Sequence, residues 1–167
     1  MVYGKGINDA GYNVRPDEKM CPFYMRWMSM LQRCYDQGAL SRDPSYEGTT
    51  VCEEWLRFSN FKAWMQTKDW KGKCLDKDLK GGKVYSPETC LFISGDLNRY
   101  WTKRKGISWE EDRQKWRVKI NKKHIGRYRT KEEARAVYEA CKLKGLASFI
   151  GKEGPEVDAA IKTILCN

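Results

Sequence analysis

The sequence predicts an α+β protein of two small modules, the second a three-stranded sheet with one helix laid across it. Three observations carry that expectation. Apolar residues recur at helical spacing over residues 23–35 and on one broad face over 51–70. Residues 103–129 instead alternate apolar and basic side chains at the strand period. The charge is also uneven: of 32 basic and 22 acidic side chains, residues 1–100 hold 15 and 13, residues 101–167 hold 17 and 9. The net charge of +10 therefore sits mainly in the second part and favours a polyanionic partner such as DNA or RNA. With 167 residues, 41% of them hydrophobic, the chain can bury a core but is too short for several large domains.

Residues 1–20 mix Gly4, Gly6, Gly11, Asn8, Asn13 and Pro16 without a sustained period, and read as a turn-rich arm suited to wrapping another surface. Phe23, Trp27, Met30, Leu31 and Cys34 then mark a first amphipathic helix. Pro44 and Gly48 make residues 37–50 a loop. Trp55, Phe58, Phe61, Trp64 and Met65 share one face, with Ser59 or Asn60 as cap, and are assigned to core. In residues 74–101, Leu75 and Leu79 flank an acidic pair, Gly81-Gly82 turns the chain, residues 90–93 are extended, and residues 96–98 begin a closing helix.

The second module follows at residues 103–145. Trp116, Val118 and Ile120 alternate with Arg117 and Lys119, Asn121-Lys122 makes a turn, and Thr130 with Glu133 forms a capping box ahead of Ala134, Val137, Tyr138 and Cys141. Residues 146–167 are a Gly-rich break, expected over 145–154, and a final helix that starts at Pro155 and carries Val157, Ile161, Ile164 and Leu165 on one side.

No apolar run approaches the roughly 18 residues that cross a bilayer, and the first residues lack the apolar core of a secretory signal, so a soluble, cytoplasmic protein without a membrane partner is expected. Seven cysteines without a close CxxC pair read mainly as buried thiols; Cys34, Cys52 and Cys90 are the set from which a structural Zn2+ site could be drawn.

Residues 103–129 hold 11 basic and 3 acidic side chains interleaved with Trp109, Trp116 and Tyr128, a density that favours phosphate contact and allows guanidinium groups on a strand to reach base edges. Gly106-Ile107, Lys115-Trp116, Ile120, Ile125-Gly126, Tyr128, Thr130 and the run Glu132 to Ala134 resemble the AP2 DNA-binding domain over about 40 residues. That resemblance implies a sheet docked in the major groove of double-stranded DNA. The contact positions it suggests are Arg113, Lys115, Arg117, Lys119 and Arg127, with Trp109 and Trp116 against sugar or backbone. The basic run Lys103, Arg104 and Lys105 leads into the sheet and is expected to contact DNA as well.

Residues 21–101 resemble phage-borne HNH-type endonucleases that carry an AP2 domain behind the nuclease. The similarity lies in RCY (Arg33 to Tyr35), VCEEW (Val51 to Trp55), FSNFKAW (Phe58 to Trp64), LDKD (Leu75 to Asp78), YSPETCLFIS (Tyr85 to Ser94) and Asn98. It implies a small, divergent ββα-metal domain that cuts or nicks DNA, in a phage protein acting in the host cytoplasm. On the family's frame Asp76 matches the first ligand, Lys77 falls where a His base stands, Asn98 matches the helical ligand, and the middle Asn has no counterpart near residues 86–89. The sole histidine is His124, in the basic sheet. Without a His base, Asp76, Asp78 and Asn98 are the candidate ligands for Mg2+ or Mn2+. Asp76 and Asp78 are expected on one strand face, and Lys77 neutralises developing charge or serves as base. The structural alternative for LDKD is a turn in which Asp76 or Asp78 pairs with Lys80 or Lys83.

The expected activity is metal-dependent phosphodiester hydrolysis, as an endonuclease or nickase resembling homing-type enzymes. Two alternatives stand beside it: a DNA-binding protein that keeps the nuclease-like fold without its chemistry, and a phage interaction or inhibitor protein with a host protein partner. Oligomeric state and target site are open.

Overall fold

The chain is a mixed α+β protein with small sheets, and the computed structural model describes residues 1–102 and 106–166. Two units form, Met1–Ile93 and Ser94–Asn167. The division falls ahead of the break expected at 101–103, because the helix expected to close the first module belongs to the second. Among the described residues no helix is long and apolar enough to cross a membrane.

In the first unit, α1 (Pro22–Tyr35) is the expected amphipathic helix, with Trp27, Met30, Leu31 and Cys34 buried. Residues expected as a loop contain α2 (Gln37–Arg42), whose N-cap Asp36 accepts a hydrogen bond from the Ala39 N–H at 2.7 Å. Six residues are too few to display a period, so the cap was the only signal. The stretch 51–70 is not one helix: β1 (Thr50–Val51) and a 3-10 turn at Glu53–Leu56 precede α3 (Phe58–Gln66). Neither Ser59 nor Asn60 caps α3. Asp9, 50 residues earlier, accepts from the Ser59 N–H at 2.9 Å and from its hydroxyl at 2.8 Å.

The arm is accordingly part of this unit. Ile7 bridges Arg57 in parallel, and Gly6 lies so close to α1 that a Cβ there would meet the Leu31 side chain and stand 2.8 Å from the Trp27 ring. The sheets are minimal: β1 pairs in parallel with β3 (Val84–Tyr85), and β2 (Cys74–Asp76) pairs antiparallel with β4 (Leu91–Ile93). Aromatic packing holds them, with Trp55 against Phe61 edge-on at 5.1 Å and Trp64 stacked on Phe92 at 5.6 Å. The buried Trp27 indole donates to the Trp55 carbonyl at 2.6 Å.

The second unit begins with α4 (Gly95–Trp101), capped by the Ser94 hydroxyl. Its Tyr100 hydroxyl donates to the Lys142 carbonyl at 2.9 Å. The antiparallel sheet β5 (Ile107–Glu110), β6 (Lys115–Ile120) and β7 (Lys123–Tyr128) follows in that order. Asn121 and Lys122 connect β6 to β7 with φ of 48° and 70°, the paired left-handed residues that match a two-residue hairpin to the strand twist. Thr130 and Glu133 close a reciprocal capping box on α5 (Lys131–Ala147), and α6 (Pro155–Cys166) buries Val157, Ala160 and Ile161. Gly145 does not break the chain. It lies inside α5 because any side chain there would occupy the place of the Tyr100 hydroxyl. The Gly-rich segment after it supplies Glu153, which is buried and accepts from the Ser94 N–H at 2.9 Å and hydroxyl at 2.5 Å.

Gly6→Ala is expected to lower unfolding stability by about 1–3 kcal/mol in a urea titration, because its methyl enters space held by α1. An unchanged midpoint would show that the arm does not contribute to the first unit's core.

Candidate functional site

Each unit presents one candidate site. In the second, strand alternation and register sort the sheet into two faces. Val118, fully buried, faces α5, and Trp116 and Ile120 share its side of β6. Lys115, Arg117 and Lys119 therefore occupy the open face. Register adds Ser108 and Glu110 from β5 and Arg127 from β7, since Ser108 and Arg127 both oppose Arg117 and Glu110 opposes Lys115. A register shift after Val118 leaves Ile125 unmatched and places His124 opposite Lys119. Without it, His124 and Arg127 would point to opposite faces; with it, Arg127 Nη1 lies 3.3 Å from His124 Nε2.

The centre of the open face is ordered by one carboxylate. Glu110 accepts from Arg117 Nη1 at 2.7 Å and from Arg127 Nε at 2.5 Å, and Arg117 Nη2 donates to the Ser108 hydroxyl at 3.3 Å. These contacts, the Arg127 hydrogen bond foremost, hold the Glu110 carboxyl below its ordinary range. Lys115 and Lys119 are exposed beside this cluster, and Arg113 lies in the turn between β5 and β6.

Trp109 and Trp116 fall on the other side. They oppose each other in the register with ring centroids 5.3 Å apart, on the face shared with Val118. Lys131 of α5 stands 5.3 Å from the Trp116 ring, and the 40% exposed Trp109 donates its indole N–H to Glu111 at 2.6 Å. The structure thus does not bring the tryptophans to the basic face: counted from Val118, both stand at positions that turn toward the helix. Lys103, Arg104 and Lys105 lie outside the described residues.

In the first unit, LDKD is a strand end and a turn. β2 stops at Asp76, so the period that would set Asp78 beside it on one face does not operate. Asp76 is 7% exposed, whereas the Asp78 side chain is 60% exposed. Asp76 Oδ2 accepts the Leu79 N–H at 2.8 Å, which folds the chain back after the strand. Burial pushes its carboxyl up to about 6, with the Leu79 and Asp78 N–H groups pulling the other way. Lys77 is 5% exposed, and its ammonium lies 2.6 Å from Asp78 Oδ1 and 5.8 and 5.6 Å from the Tyr46 and Tyr85 rings. The turn's ion pair is Lys77 with Asp78, rather than either aspartate with Lys80 or Lys83. Those two lysines donate to the Glu88 and Glu47 carbonyls.

Arg33 joins this cluster and carried no role in the sequence. Its guanidinium lies 5.8 Å from the Tyr46 ring and close enough to the Tyr85 hydroxyl to favour that hydroxyl's charged form against the effect of burial. It also lines a cleft of about 380 Å³ with Ser29, Gln32, Arg42, Asp43 and Tyr46. The only sequence signal was its place in the RCY motif. Arg33 and Arg42 bring positive charge to this cleft, whereas the Lys77 ammonium is buried and paired with Asp78.

Two hard carboxylates are the donors Mg2+ or Mn2+ takes when it keeps waters and phosphate oxygens as its other ligands, so Asp76 and Asp78 fit such a cation in kind. Asn98 belongs to the second unit, on α4, where its backbone carbonyl accepts from the Thr102 hydroxyl at 2.6 Å. Among the described residues no three His, Cys, Asp or Glu side chains converge. Burial pushes the thiols of Cys34 and Cys90 up to about 12 and that of Cys52 to about 11, which favours neutral, packed thiols over thiolates.

Comparison with protein-family models, curated proteins and solved structures gives no match.

The raised Asp76 value has a measurable sign. Its folded value lies above the unfolded value of 3.8, so the folded state binds the extra proton between pH 4 and about 6, and stability falls as pH rises through that window. In EDTA, Asp76→Asn is expected to remove this loss, gaining on the order of 2 kcal/mol relative to the parent between pH 4 and pH 7. Parallel urea midpoints across that range would contradict a buried carboxylate whose desolvation the Leu79 and Asp78 N–H groups offset only in part.

Proposed function

We propose that this chain is a DNA-binding phosphodiesterase, an endonuclease or nickase in which the second unit holds duplex DNA and the first acts on a phosphate. The observation that carries the DNA-binding half is the open sheet face: Lys115, Arg117, Lys119 and Arg127 on one side, α5 on the other. A rigid basic ribbon of this width suits the major groove, where lysines neutralise phosphates and arginines reach base edges. Three short strands followed by a capped helix is also the element order that the AP2 resemblance implies.

The catalytic half rests on the LDKD turn. Asp76 and Asp78 would hold Mg2+ or Mn2+, which when bound polarises the phosphate and lowers the pKa of a coordinated water. Lys77 presents a fixed ammonium to the charge that develops on the phosphate oxygens, and Arg33 supplies a second cation through the neighbouring cleft. The first unit is the divergent HNH-like module in this reading, with Lys77 at the place of the His base.

One observation favours a second reading, DNA binding without cleavage. Asp76 already fastens the turn to Leu79 and Asp78 already pairs with Lys77, so both carboxylates also serve the fold.

Supercoiled plasmid with Mg2+ or Mn2+ separates the two. Nicking by the parent should fall about 100-fold or more in Asp78→Ala and Lys77→Ala, while binding in EDTA stays within twofold. A folded parent that cuts no substrate with either metal leaves the binding-only reading. For the sheet, Lys119→Ala is expected to weaken binding to all duplexes alike and to reduce the slope of log K against log salt by about 1. A slope that does not change would remove Lys119 from the phosphate-contacting set.

A further inference from the structure

We propose that Glu110 is a positioning residue that fixes Arg117 and Arg127 as one paired fork, so that the open sheet face selects guanine-bearing base steps instead of gripping phosphate alone. The inference rests on the DNA-binding reading above and adds the residue that sets its selectivity.

Arg117 and Arg127 face each other across β6 and β7, and left alone two guanidinium groups at that spacing would repel and swing outward. Glu110 stands between them with one oxygen for each, and its side chain is only 11% exposed. The carboxylate offsets one of the two positive charges and restricts the rotamers of both long side chains.

The hydrogen count says which edges remain. Arg127 spends Nε on Glu110, and its Nη1 meets His124 Nε2, the arginine donating. Among the described residues its Nη2 has no partner. Arg117 has both terminal nitrogens engaged, Nη1 by Glu110 and Nη2 by Ser108, while its Nε is buried without a partner among the described residues. Arg127 is thus the reading arm and Arg117 its support. A guanidinium anchored along its Nε edge presents its outer hydrogens as a planar pair, which matches the O6 and N7 acceptors of guanine in the major groove. A phosphate offers no such demand for a fixed plane, so the ordering gains selectivity more than affinity. Glu110 also lowers the positive charge of the face where generic binding would use it, which weakens the competing non-specific mode.

The test uses the full chain. Duplexes enriched from a random-sequence pool are compared with random duplex by fluorescence anisotropy for the parent, Glu110→Gln and Glu110→Ala. Lys115→Ala serves as a same-face control opposite Glu110. The Glu110 variants are expected to bind random duplex as tightly as the parent or more tightly, while the ratio of selected to random affinity falls at least about 10-fold. Lys115→Ala is expected to weaken both duplexes together.

An unchanged ratio in the Glu110 variants, or a proportional loss on both duplexes, would overturn the proposal. So would selected sequences that lack guanine at the enriched steps. A parent that binds no DNA at low salt would bring down the DNA-binding reading first, and this inference with it. A DNA-free readout covers the case of a variant that does not fold: the Arg127 Nε–H proton of the parent should exchange with water far more slowly than that of an exposed arginine. Exchange at the exposed rate would show that the fork is not held.

Discussion

Strands of two and three residues cannot hold themselves together, so the first unit depends on the buried aromatic cluster that Trp27 and Trp55 organise. The Trp27 indole donates to the Trp55 carbonyl, which satisfies a polar atom inside the core and fixes α1 against the turn before α3. Phe58, Phe61 and Met65 complete the packing from α3, and Phe92 reaches it from β4. Gly6 exists because the arm must pass over that tryptophan. The position of the LDKD turn follows from the same cluster, since β2 is held through its pairing with β4 and through Leu75 beneath it.

The second unit is organised differently. Two of its three strands have six residues and are joined by a hairpin whose turn matches their twist, and its helix is fixed by a reciprocal cap. One face is spent on α5. The other keeps its charge in order through Glu110, so that arginines which would repel across two strands become a single arrangement. The two units thus hold their cations by different means: in the first by burying Lys77 among rings beside one aspartate, in the second by sharing one glutamate between two arginines.

Much of the local structure was legible. Thr130 with Glu133 announces its helix because the cap is a contact between residues three apart, and Asn121-Lys122 announces its hairpin because two adjacent residues bear the whole turn. The residues that misled are those whose partner is distant. Ser59 resembles a cap, yet the cap is Asp9; Gly145 resembles a helix breaker, yet it makes room for Tyr100. Asp76 and Asp78 satisfy a period of two, but the strand that would give the period meaning ends at Asp76. Arg33 carried no role because its partners, Tyr46 and Tyr85, lie 13 and 52 residues further along.

By itself, then, the sequence determined the α+β class, the helices of long apolar period, the three-stranded basic sheet and the concentration of positive charge in the second part. These are set by neighbours within a few residues, where periodicity and propensity act. Tertiary structure alone decided where the units divide, which face of the sheet keeps its charge, that the tryptophans turn to α5, and which carboxylates are buried. Each of those depends on pairing register or on a partner far along the chain, and a one-residue shift in register reverses a whole face.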